Sequence, residues 1–343
     1  MESSSETPIL VTGASGFLGS HITKYLLEQN KRVRGTVRSL ESSKFLHDLV
    51  PEKRANLELF EAELLEISKW EQVTQGCESI IHTACPVPIA NPKDVENKLF
   101  KPAVDGTKIV LEAALKNGVK KVVITSAFNT LWVGNEYRTI TEDIWAIDGN
   151  EDAYNTAKIK QEKFVWEFFA KNKGKIEITT LCPGLLVGPL LNKKENISEE
   201  IIKEFMSKKL PGIPDINFAV VDVRDAAVAH IQAMQNPTTS GKRYIIANKS
   251  MSMKDITEVL AKEFEKYGYK LPKTLLKRCA LKFDSMFDDK AKKLLAFYGR
   301  KVRFDNKLSL NELNIKYRPV EESVLEMAYS LIIYGFVPDK IKK

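Results

Sequence analysis

Short apolar runs alternate with amphipathic segments along most of the chain. The run that starts at Ile9 and the near-continuous run Lys121–Ser126 are typical of strands buried on both faces of a parallel sheet. The segments between such runs have the spacing of amphipathic helices. We predict further strands at Arg32–Arg38, Leu57–Leu64, Ser79–Cys85, Ile176–Leu181 and Arg243–Ala247. We predict helices at about 17–29, Glu41–Val50, Ser68–Gln75, Val95–Asn117 and Tyr154–Lys171.

The pattern changes after Leu190, where helices rich in lysine and glutamate accompany the apolar stretch Phe218–Val223. Strands that alternate with helices predict an α/β fold: a doubly wound parallel sheet of the Rossmann type, with a smaller, mostly C-terminal substrate lobe. We predict a nucleotide-binding domain over residues 1–189 and the lobe over residues 190–343, with parts around 218–248 returning to the first domain. A ligand cleft is expected between them, at the carboxyl ends of the strands.

The composition is that of an ordinary globular protein and argues against several function classes. The 343 residues are 43% hydrophobic and carry a net charge of +7, and no apolar run is long enough to span a bilayer. The lysines are spread along the chain, without the aromatic-interleaved basic run of a nucleic-acid surface. Four distant cysteines and a polar first segment without a secretory signal favour a reduced, cytoplasmic protein. The four histidines lack the spacing of a metal site.

Three glycines follow the first predicted strand with the spacing G-x-x-G-x-x-G. Gly13 allows a tight turn, Gly16 lets backbone N–H groups approach a pyrophosphate, and Gly19 lets helix and strand pack closely. The helix that follows points its partly positive N-terminus at the anion. Strand, glycine turn and amphipathic helix in this order predict a dinucleotide site.

The end of the second predicted strand discriminates between the two nicotinamide dinucleotides. A carboxylate there binds the ribose 2′-hydroxyl of NAD, whereas an arginine accommodates the 2′-phosphate of NADP. Here the strand ends in Thr36-Val37-Arg38, and Lys44 lies nearby in sequence. A guanidinium suits a phosphate, which a carboxylate would repel. The sequence therefore favours NADP(H), with Arg38 and Lys44 as candidate phosphate ligands.

A tyrosine and a lysine stand four residues apart at Tyr154 and Lys158, on one face of a predicted helix. An ammonium beside the phenol, together with a positive nicotinamide ring, stabilises tyrosinate. The phenol is then suited to protonate a carbonyl oxygen while hydride reaches the carbon. The same spacing recurs at Tyr269 and Lys273, but that copy contains Pro272 and lies far from the glycine turn, so we interpret it as coincidental.

Seven segments of the chain together carry a family resemblance. They are Val11–Gly19, Gly35–Arg38, His82–Pro86, Lys101–Gly106, Tyr154–Lys158, Pro183–Pro189 and Val221–His230. With these segments the chain resembles the extended short-chain dehydrogenase/reductases over nearly its whole length. It is most similar to the group of dihydroflavonol reductases, cinnamoyl-CoA reductases and yeast-type methylglyoxal or aldehyde reductases. The resemblance implies NADP(H) and the reduction of an aldehyde or ketone to an alcohol, or the reverse oxidation.

Carried over position by position, the resemblance implies a role for each matching residue. Tyr154 would be the proton donor, and Lys158 would bind the nicotinamide ribose and lower the pKa of the tyrosine. Arg38 would bind the 2′-phosphate. The remaining implied contacts are Phe17 and Leu18 for the pyrophosphate, Glu63 and Leu64 beside the adenine, and Thr83, Ala84, Pro86, Pro183 and Val187 around the nicotinamide.

One position departs from the family pattern. After the fifth strand the family reads Thr-Ser-Ser, and its second serine hydrogen-bonds the substrate carbonyl, whereas this chain reads Thr125-Ser126-Ala127. Removing one such donor typically costs roughly 10²–10³ in rate. Ser126 could supply the catalytic hydroxyl after a one-residue shift, Asn129 or Thr130 could donate instead, or the protein could be weak or inactive. An engineered Ser→Ala change is a further alternative.

The predicted substrate side is apolar and aromatic, which suits a neutral carbonyl compound of modest size. Phe128 and Trp132 can equally be interpreted as core residues. Flavonoid-reducing relatives tend to carry Asn where this chain has Trp132, which favours the aldehyde and ketone reductases. The predicted lining is Val87, Ala127, Phe128, Asn129 and Trp132.

Two other functions compete with a reductase. Ala127 favours a catalytically silent NADP(H)-binding protein, although Tyr154 and Lys158 argue against it. A nucleotide-sugar epimerase or dehydratase would keep NAD tightly bound, usually with an acidic residue where this chain has Arg38. As partners we expect a small carbonyl or alcohol substrate, with the protein a monomer or a homodimer.

Overall fold

A seven-stranded parallel sheet forms the centre of the fold. The computed structural model describes residues 7–86, 94–132, 138–146, 153–194, 198–285 and 288–341. The strands are β1 (Ile9–Thr12), β2 (Val33–Val37), β3 (Leu57–Glu61), β4 (Ser79–His82), β5 (Lys121–Thr125), β6 (Glu177–Pro183), β7 (Leu185–Val187), β8 (Asn217–Asp222), β9 (Arg243–Ile246) and β10 (Lys249–Ser252). The large sheet has the order β3-β2-β1-β4-β5-β6-β9, and all its neighbours are parallel. This order confirms the predicted Rossmann-type sheet.

Helices cover both faces of this sheet, and further helices pack in the C-terminal part of the chain and against a second, smaller sheet. They are α1 (Phe17–Glu28), α2 (Ile67–Thr74), α3 (Lys101–Lys116), α4 (Ala153–Lys171), α5 (Glu200–Met206), α6 (Val223–Gln235), α7 (Met253–Phe264), α8 (Arg278–Asp284), α9 (Asp289–Phe297), α10 (Lys307–Glu312) and α11 (Val320–Ile333). Short 3₁₀ segments cover Glu41–Asp48, Pro51–Asn56, Phe128–Thr130, Pro237–Thr239 and Glu265–Tyr267. None of the described helices combines the length and apolarity needed to cross a bilayer.

Two predicted helices differ in detail from the structure. The helix predicted at Glu41–Val50 is a 3₁₀ segment that ends at Asp48. Val50 lies at φ −144° and ψ 81°, outside the helical region, because the ring of the following Pro51 disfavours a helical conformation there. The helix predicted from Val95 begins with a π-type turn over Glu96–Phe100 and becomes α-helical at Lys101.

Alternate residues of the central strands pack into opposite cores, as expected for a sheet covered on both faces. Ile9 and Val11 of β1 belong to a core with the helices α1 and α6. Leu10, between them, belongs to the other core, with Val110 of α3 and Val165 of α4. The sheet therefore fixes α1 and α4 on opposite faces, each beginning near the carboxyl ends of the strands.

A second, three-stranded sheet has the order β10-β8-β7. β8 runs parallel to β7 and antiparallel to β10. The apolar stretch predicted at Phe218–Val223 lies in this small sheet up to Asp222, and Val223 begins α6. By contrast, β9 pairs with β6 at the edge of the large sheet. Part of the region around 218–248 thus returns to the large sheet. The domain boundary between residues 189 and 190 stays a prediction.

Candidate active site

The glycine turn is bare backbone between β1 and α1. Gly13 has φ +65°, a conformation that residues with a side chain rarely adopt. A Cβ on Gly19 would lie 2.3 Å from the Gly13 carbonyl oxygen, so that position excludes any side chain. Gly16 is the N-cap of α1, with extended backbone. Phe17 and Leu18 are buried in the core, so they offer a ligand backbone N–H groups rather than side chains.

The end of β4 lies against this turn. The Thr83 hydroxyl donates to the Thr12 carbonyl over 2.6 Å, and the Ala84 N–H donates to the Thr12 hydroxyl over 3.1 Å. A Cβ on Gly13 would lie 3.1 Å from the Ala84 Cα. The structure therefore brings Thr83 and Ala84, predicted for the nicotinamide side, next to the predicted pyrophosphate turn. Pro86 follows them and is half-buried, whereas Val87 lies outside the described residues.

Lys158 is buried on α4, and two neutral oxygens accept from its ammonium. Nζ lies 2.6 Å from the Thr125 carbonyl oxygen and 2.6 Å from Gln161 Oε1. Burial raises the pKa of the Cys85 thiol, and the charge of Lys158 partly opposes this shift. Tyr154 packs in a small apolar cluster that includes Cys85. The structure thus brings the Tyr154–Lys158 pair to the segment that follows β4.

A buried hydrogen-bond chain joins Lys158 to the strand that carries the glycine turn. From Gln161 it continues through Nε2 to Thr107 Oγ1 (2.7 Å), then to His82 Nε2 (3.2 Å), and from His82 Nδ1 to Thr12 Oγ1 (2.8 Å). Burial, and then the charge of Lys158, lower the pKa of His82 to about 3, so this imidazole is neutral at physiological pH. Sequence reasoning missed this chain because its links come from four separate elements.

Ser126 belongs to a different buried network. Its hydroxyl donates to Glu162 Oε2 over 2.6 Å. Arg243 pairs with the same carboxylate through Nε (2.8 Å) and Nη2 (3.1 Å). Burial acts to raise the pKa of Glu162, but the charge and hydrogen bonds of Arg243 outweigh it, so the net shift is downward and the carboxylate is ionised. The proton of the Ser126 hydroxyl is therefore used in the hydrogen bond to Glu162.

All five N–H donors of Arg243 have acceptors, so this side chain links several segments near the site. Besides Glu162, it donates to the carbonyl oxygens of Glu142 (3.0 Å) and Ile144 (2.9 Å) and to the hydroxyl of Thr130 (3.2 Å). Its guanidinium stacks on the ring of Trp145 at 3.6 Å. This single side chain therefore holds the 3₁₀ turn after β5 and the segment 140–146 together.

The predicted substrate lining is only partly accessible. Phe128 and Trp132 are each 4% exposed and pack in a core cluster with Phe304. Both side chains therefore pack as core residues. The Trp132 indole N–H is buried and finds no hydrogen-bond partner among the described residues. Asn129 donates to Asn155 over 2.8 Å, and Ala127 is half-buried.

The two cations predicted to bind the 2′-phosphate, Arg38 and Lys44, differ in their surroundings. Arg38 is exposed just after β2, and Lys44 pairs with Glu41 at 2.5 Å on the surface. Lys194 reaches the glycine turn, with Nζ 3.3 Å from Ser15 Oγ. Burial and then the positive charge of Arg38 lower the pKa of Lys194. No motif marked Lys194, which lies in the segment assigned to the other lobe.

The other predicted cofactor contacts lie at the edges of this region. Glu63 is exposed and accepts from the Trp70 indole through its carbonyl oxygen (2.9 Å). Leu64 packs on α3, where a Cβ added to Gly106 would approach it to 2.8 Å. Pro183 ends β6, and Val187 is buried in β7. Their contacts with a cofactor stay predictions.

Comparison with known proteins identifies the family. The model of the "NAD dependent epimerase/dehydratase family" matches residues 9–247. The chain belongs to this family. It is 30% identical over 339 residues to cinnamoyl-CoA reductase 2 of Arabidopsis thaliana, covering 96% of this chain and 94% of that protein. It is 31% identical over 352 residues to cinnamoyl-CoA reductase 1 of Petunia hybrida, covering 100% and 97%.

Solved structures agree with this assignment. Yeast methylglyoxal/isovaleraldehyde reductase Gre2, determined in complex with NADPH, superposes with a TM-score of 0.81 and 25% identity, covering 96% of this chain and 99% of that one. Gre2 of Candida albicans, also with NADPH, has a TM-score of 0.80 and 28% identity, covering 95% and 99%. The extended short-chain dehydrogenase/reductase assignment predicted from the sequence is confirmed.

Proposed function

We propose that this protein uses NADPH to reduce an aldehyde or ketone to an alcohol, or NADP⁺ for the reverse oxidation. The observation that carries the proposal is the Lys158 ammonium, buried on the same helix as Tyr154 and held by two neutral acceptors. Among the described residues no carboxylate pairs with it, so its charge is available to the phenol and to a cofactor. Relatives named as cinnamoyl-CoA reductases and as NADPH-bound aldehyde reductases support the same reaction class.

The residues of the site fit NADP(H). The side-chain-free turn at Gly13 and Gly19 leaves room for a pyrophosphate against the N-terminus of α1. Arg38 follows β2, where a 2′-phosphate is accommodated, and Lys194 adds a second cation beside the turn. Thr83 and Ala84 adjoin the same turn on the proposed nicotinamide side.

The chemistry follows from the proposed pair. Bound NADPH supplies the hydride. Tyr154 donates its phenolic proton to the carbonyl oxygen, and Lys158 stabilises the resulting tyrosinate through its charge. In the oxidation direction the tyrosinate accepts the proton of the alcohol. Ser126 takes no part in this scheme, because its proton is donated to Glu162.

Ala127 keeps a second function open, that of an NADP(H)-binding protein with little or no turnover. The residue that follows Ser126 lacks a hydroxyl, and a missing oxyanion donor costs roughly 10²–10³ in rate. A nucleotide-sugar epimerase remains the weaker alternative, because an acidic residue is absent where Arg38 follows β2.

The test is the oxidation of reduced nicotinamide, followed by absorbance, with NADPH and with NADH against aliphatic, aromatic and dicarbonyl substrates. We expect turnover with NADPH and a loss of at least roughly 10²-fold in kcat for Tyr154→Phe. Tyr269→Phe is the matched control, since Tyr269 has the same Y-x-x-x-K spacing and donates to the Pro338 carbonyl instead. NADPH binding without turnover would favour the silent protein, and equal losses in the two variants would contradict the role of Tyr154.

A further inference from the structure

Gln161 is the side chain through which Lys158 joins the rest of the buried network. Its Oε1 accepts from the ammonium over 2.6 Å, three residues along α4. Both residues are almost fully buried, Lys158 at 2% and Gln161 at 1% exposure. A buried ammonium normally has a carboxylate partner, whereas this one has an amide and a backbone carbonyl. The acceptors therefore orient the charge without neutralising it.

The amide of Gln161 has one orientation that suits this role. If the amide were flipped, its NH₂ group would face the ammonium, and two donors would oppose each other. Thr107 prevents the flip. Its hydroxyl proton is donated to the Ala103 carbonyl over 2.7 Å, so Oγ1 presents lone pairs to its other neighbours. Gln161 Nε2 donates to one of them over 2.7 Å, which leaves Oε1 pointing at Lys158.

His82 completes the orientation. Because the Thr107 proton is used, the contact at 3.2 Å requires His82 Nε2 to carry a proton and donate. Nδ1 is then the acceptor for the Thr12 hydroxyl at 2.8 Å, and that hydroxyl oxygen accepts from the Ala84 N–H. Donation thus runs toward Thr107 from both ends, through Thr12 and His82 on one side and from Lys158 through Gln161 on the other. Thr107 in turn donates to the Ala103 carbonyl.

We infer that Gln161 is a positioning residue for the Tyr154–Lys158 pair, and that Thr107 and His82 hold its amide in the orientation that accepts from Lys158. The inference rests on the proposed function for its catalytic consequence, since Lys158 acts there on tyrosinate. Thr125 and Gln161 take two of the three ammonium protons. Because an ammonium has three protons, these two bonds fix the direction of the third.

The groups around the pair keep constant charge near neutral pH. His82 is neutral, and the pKa of the Cys85 thiol is raised by burial. On the same helix, Glu162 is ionised and paired with Arg243, and Lys160 lies over the ring of Phe100, which packs in the Tyr154 cluster. A titration near neutral pH at this site therefore reports on the phenol.

The decisive experiment compares Gln161→Met with the wild-type protein in the complex with NADP⁺. Methionine has a similar length, but its thioether sulfur is only a weak acceptor, so the ammonium is held less firmly and the tyrosinate loses part of its stabilisation. We expect the midpoint of the near-ultraviolet tyrosinate signal, taken as a difference from Tyr154→Phe, to rise by about 1 pH unit. The pH profile of alcohol oxidation should rise by the same amount, with kcat about tenfold lower and KM for NADP⁺ changed by less than about twofold.

A second pair of variants tests the inference independently if Gln161→Met does not fold. Thr107→Val removes the hydroxyl that orients Gln161 and should move the midpoint in the same direction, whereas Thr107→Ser retains the hydroxyl and should restore it. Gln72→Met, at an exposed position of α2, is the matched control for the substitution itself. The inference fails if Gln161→Met lowers kcat or thermal stability while the midpoint and the pH profile stay unmoved. A midpoint shift in a protein without turnover would retain the inference and overturn the proposed function.

Discussion

The Ser126 hydroxyl donates to the Glu162 carboxylate over 2.6 Å, on the helix that also carries Lys158. A hydrogen bond to an ionised acceptor is strong, and this one lies in a buried site. Ala127 is in extended conformation, in which successive side chains point to opposite sides of the backbone. A one-residue shift that brought Ser126 into the catalytic position would break its bond to Glu162.

Ala127→Ser is therefore expected to raise kcat, by about 10²-fold if the new hydroxyl reaches the carbonyl oxygen of the substrate. Ser126→Ala should leave kcat per folded molecule unchanged and lower the free energy of unfolding by about 1.5–3 kcal/mol, since the lost bond is to a charged group. Steady-state kinetics and urea unfolding of both variants measure these effects. A large loss of kcat in Ser126→Ala would return the catalytic role to Ser126.

Glu162→Gln should destabilise the protein strongly. The change leaves the Arg243 guanidinium buried without a counter-charge, and breaking one side of a buried pair costs about 3–5 kcal/mol. Urea unfolding followed by circular dichroism measures the loss. Lys242→Met is the control, because its pair with Glu312 is partly exposed and worth at most about 1 kcal/mol. Similar losses in the two variants would contradict the prediction that the buried Arg243–Glu162 pair contributes more to stability than an exposed pair does.

Arg38→Ala and Lys194→Ala should weaken cofactor binding in different ways. On the proposed function Arg38 binds the phosphate that distinguishes NADPH, so its loss should raise the Kd for NADPH about 10- to 100-fold and leave NADH nearly unchanged. Lys194 contacts Ser15 in the turn that we propose for the shared pyrophosphate, so its loss should raise both Kd values. Quenching of protein fluorescence measures the four constants. Lys24→Ala, which loses a surface pair with Glu28, is the control.

Stability should fall as pH drops below about 6.5. Burial lowers the pKa of His21 to about 4, of His82 to about 3 and of His230 to about 4, whereas an unfolded histidine titrates near 6.5. Between these values the unfolded chain binds protons that the folded chain does not, so acid favours unfolding. At about pH 5 each buried histidine lowers the free energy of unfolding by about 2 kcal/mol relative to about pH 7.

Urea unfolding across this pH range tests the effect. His230→Gln should reduce the change in the free energy of unfolding between about pH 7 and about pH 5 by about 2 kcal/mol, the contribution of one buried histidine. Gln72→Met, at an exposed position without a titratable group, is the comparison and should leave the pH dependence as in the wild type. A pH dependence that is equal in all three proteins would show that the buried histidines do not cause it.

The parts of the site that could be predicted from the sequence are those encoded locally. The turn at Gly13 follows from glycine spacing next to an apolar strand, and the position of Tyr154 and Lys158 about one turn apart on α4 follows from helical periodicity. The central strands β1, β4 and β5 were predictable because buried parallel strands are continuous apolar runs. Rules for connections between parallel strands then restrict the orders in which such strands can lie.

Other features depend on contacts that no local pattern encodes. Arg243 meets Glu162 across 81 residues, and Lys194 reaches Ser15 across 179 residues. The stretch Phe218–Val223 reads as an apolar strand in either sheet, so its place beside β7 could not be inferred. Gln161 looks like an ordinary polar helix residue until Thr107 and His82 are placed around it.

The position of Arg243 also sets the order in which the protein can be completed during synthesis. When β6 has left the ribosome, Glu162 and Ser126 are already present in the nascent chain, while the guanidinium that pairs with Glu162 has yet to appear. Until β9 joins the edge of the sheet, this carboxylate has to remain hydrated, because burying it unpaired is costly. The segment 140–146 therefore acquires its anchor about a hundred residues after it is made, and the glycine turn can form well before this segment is fixed.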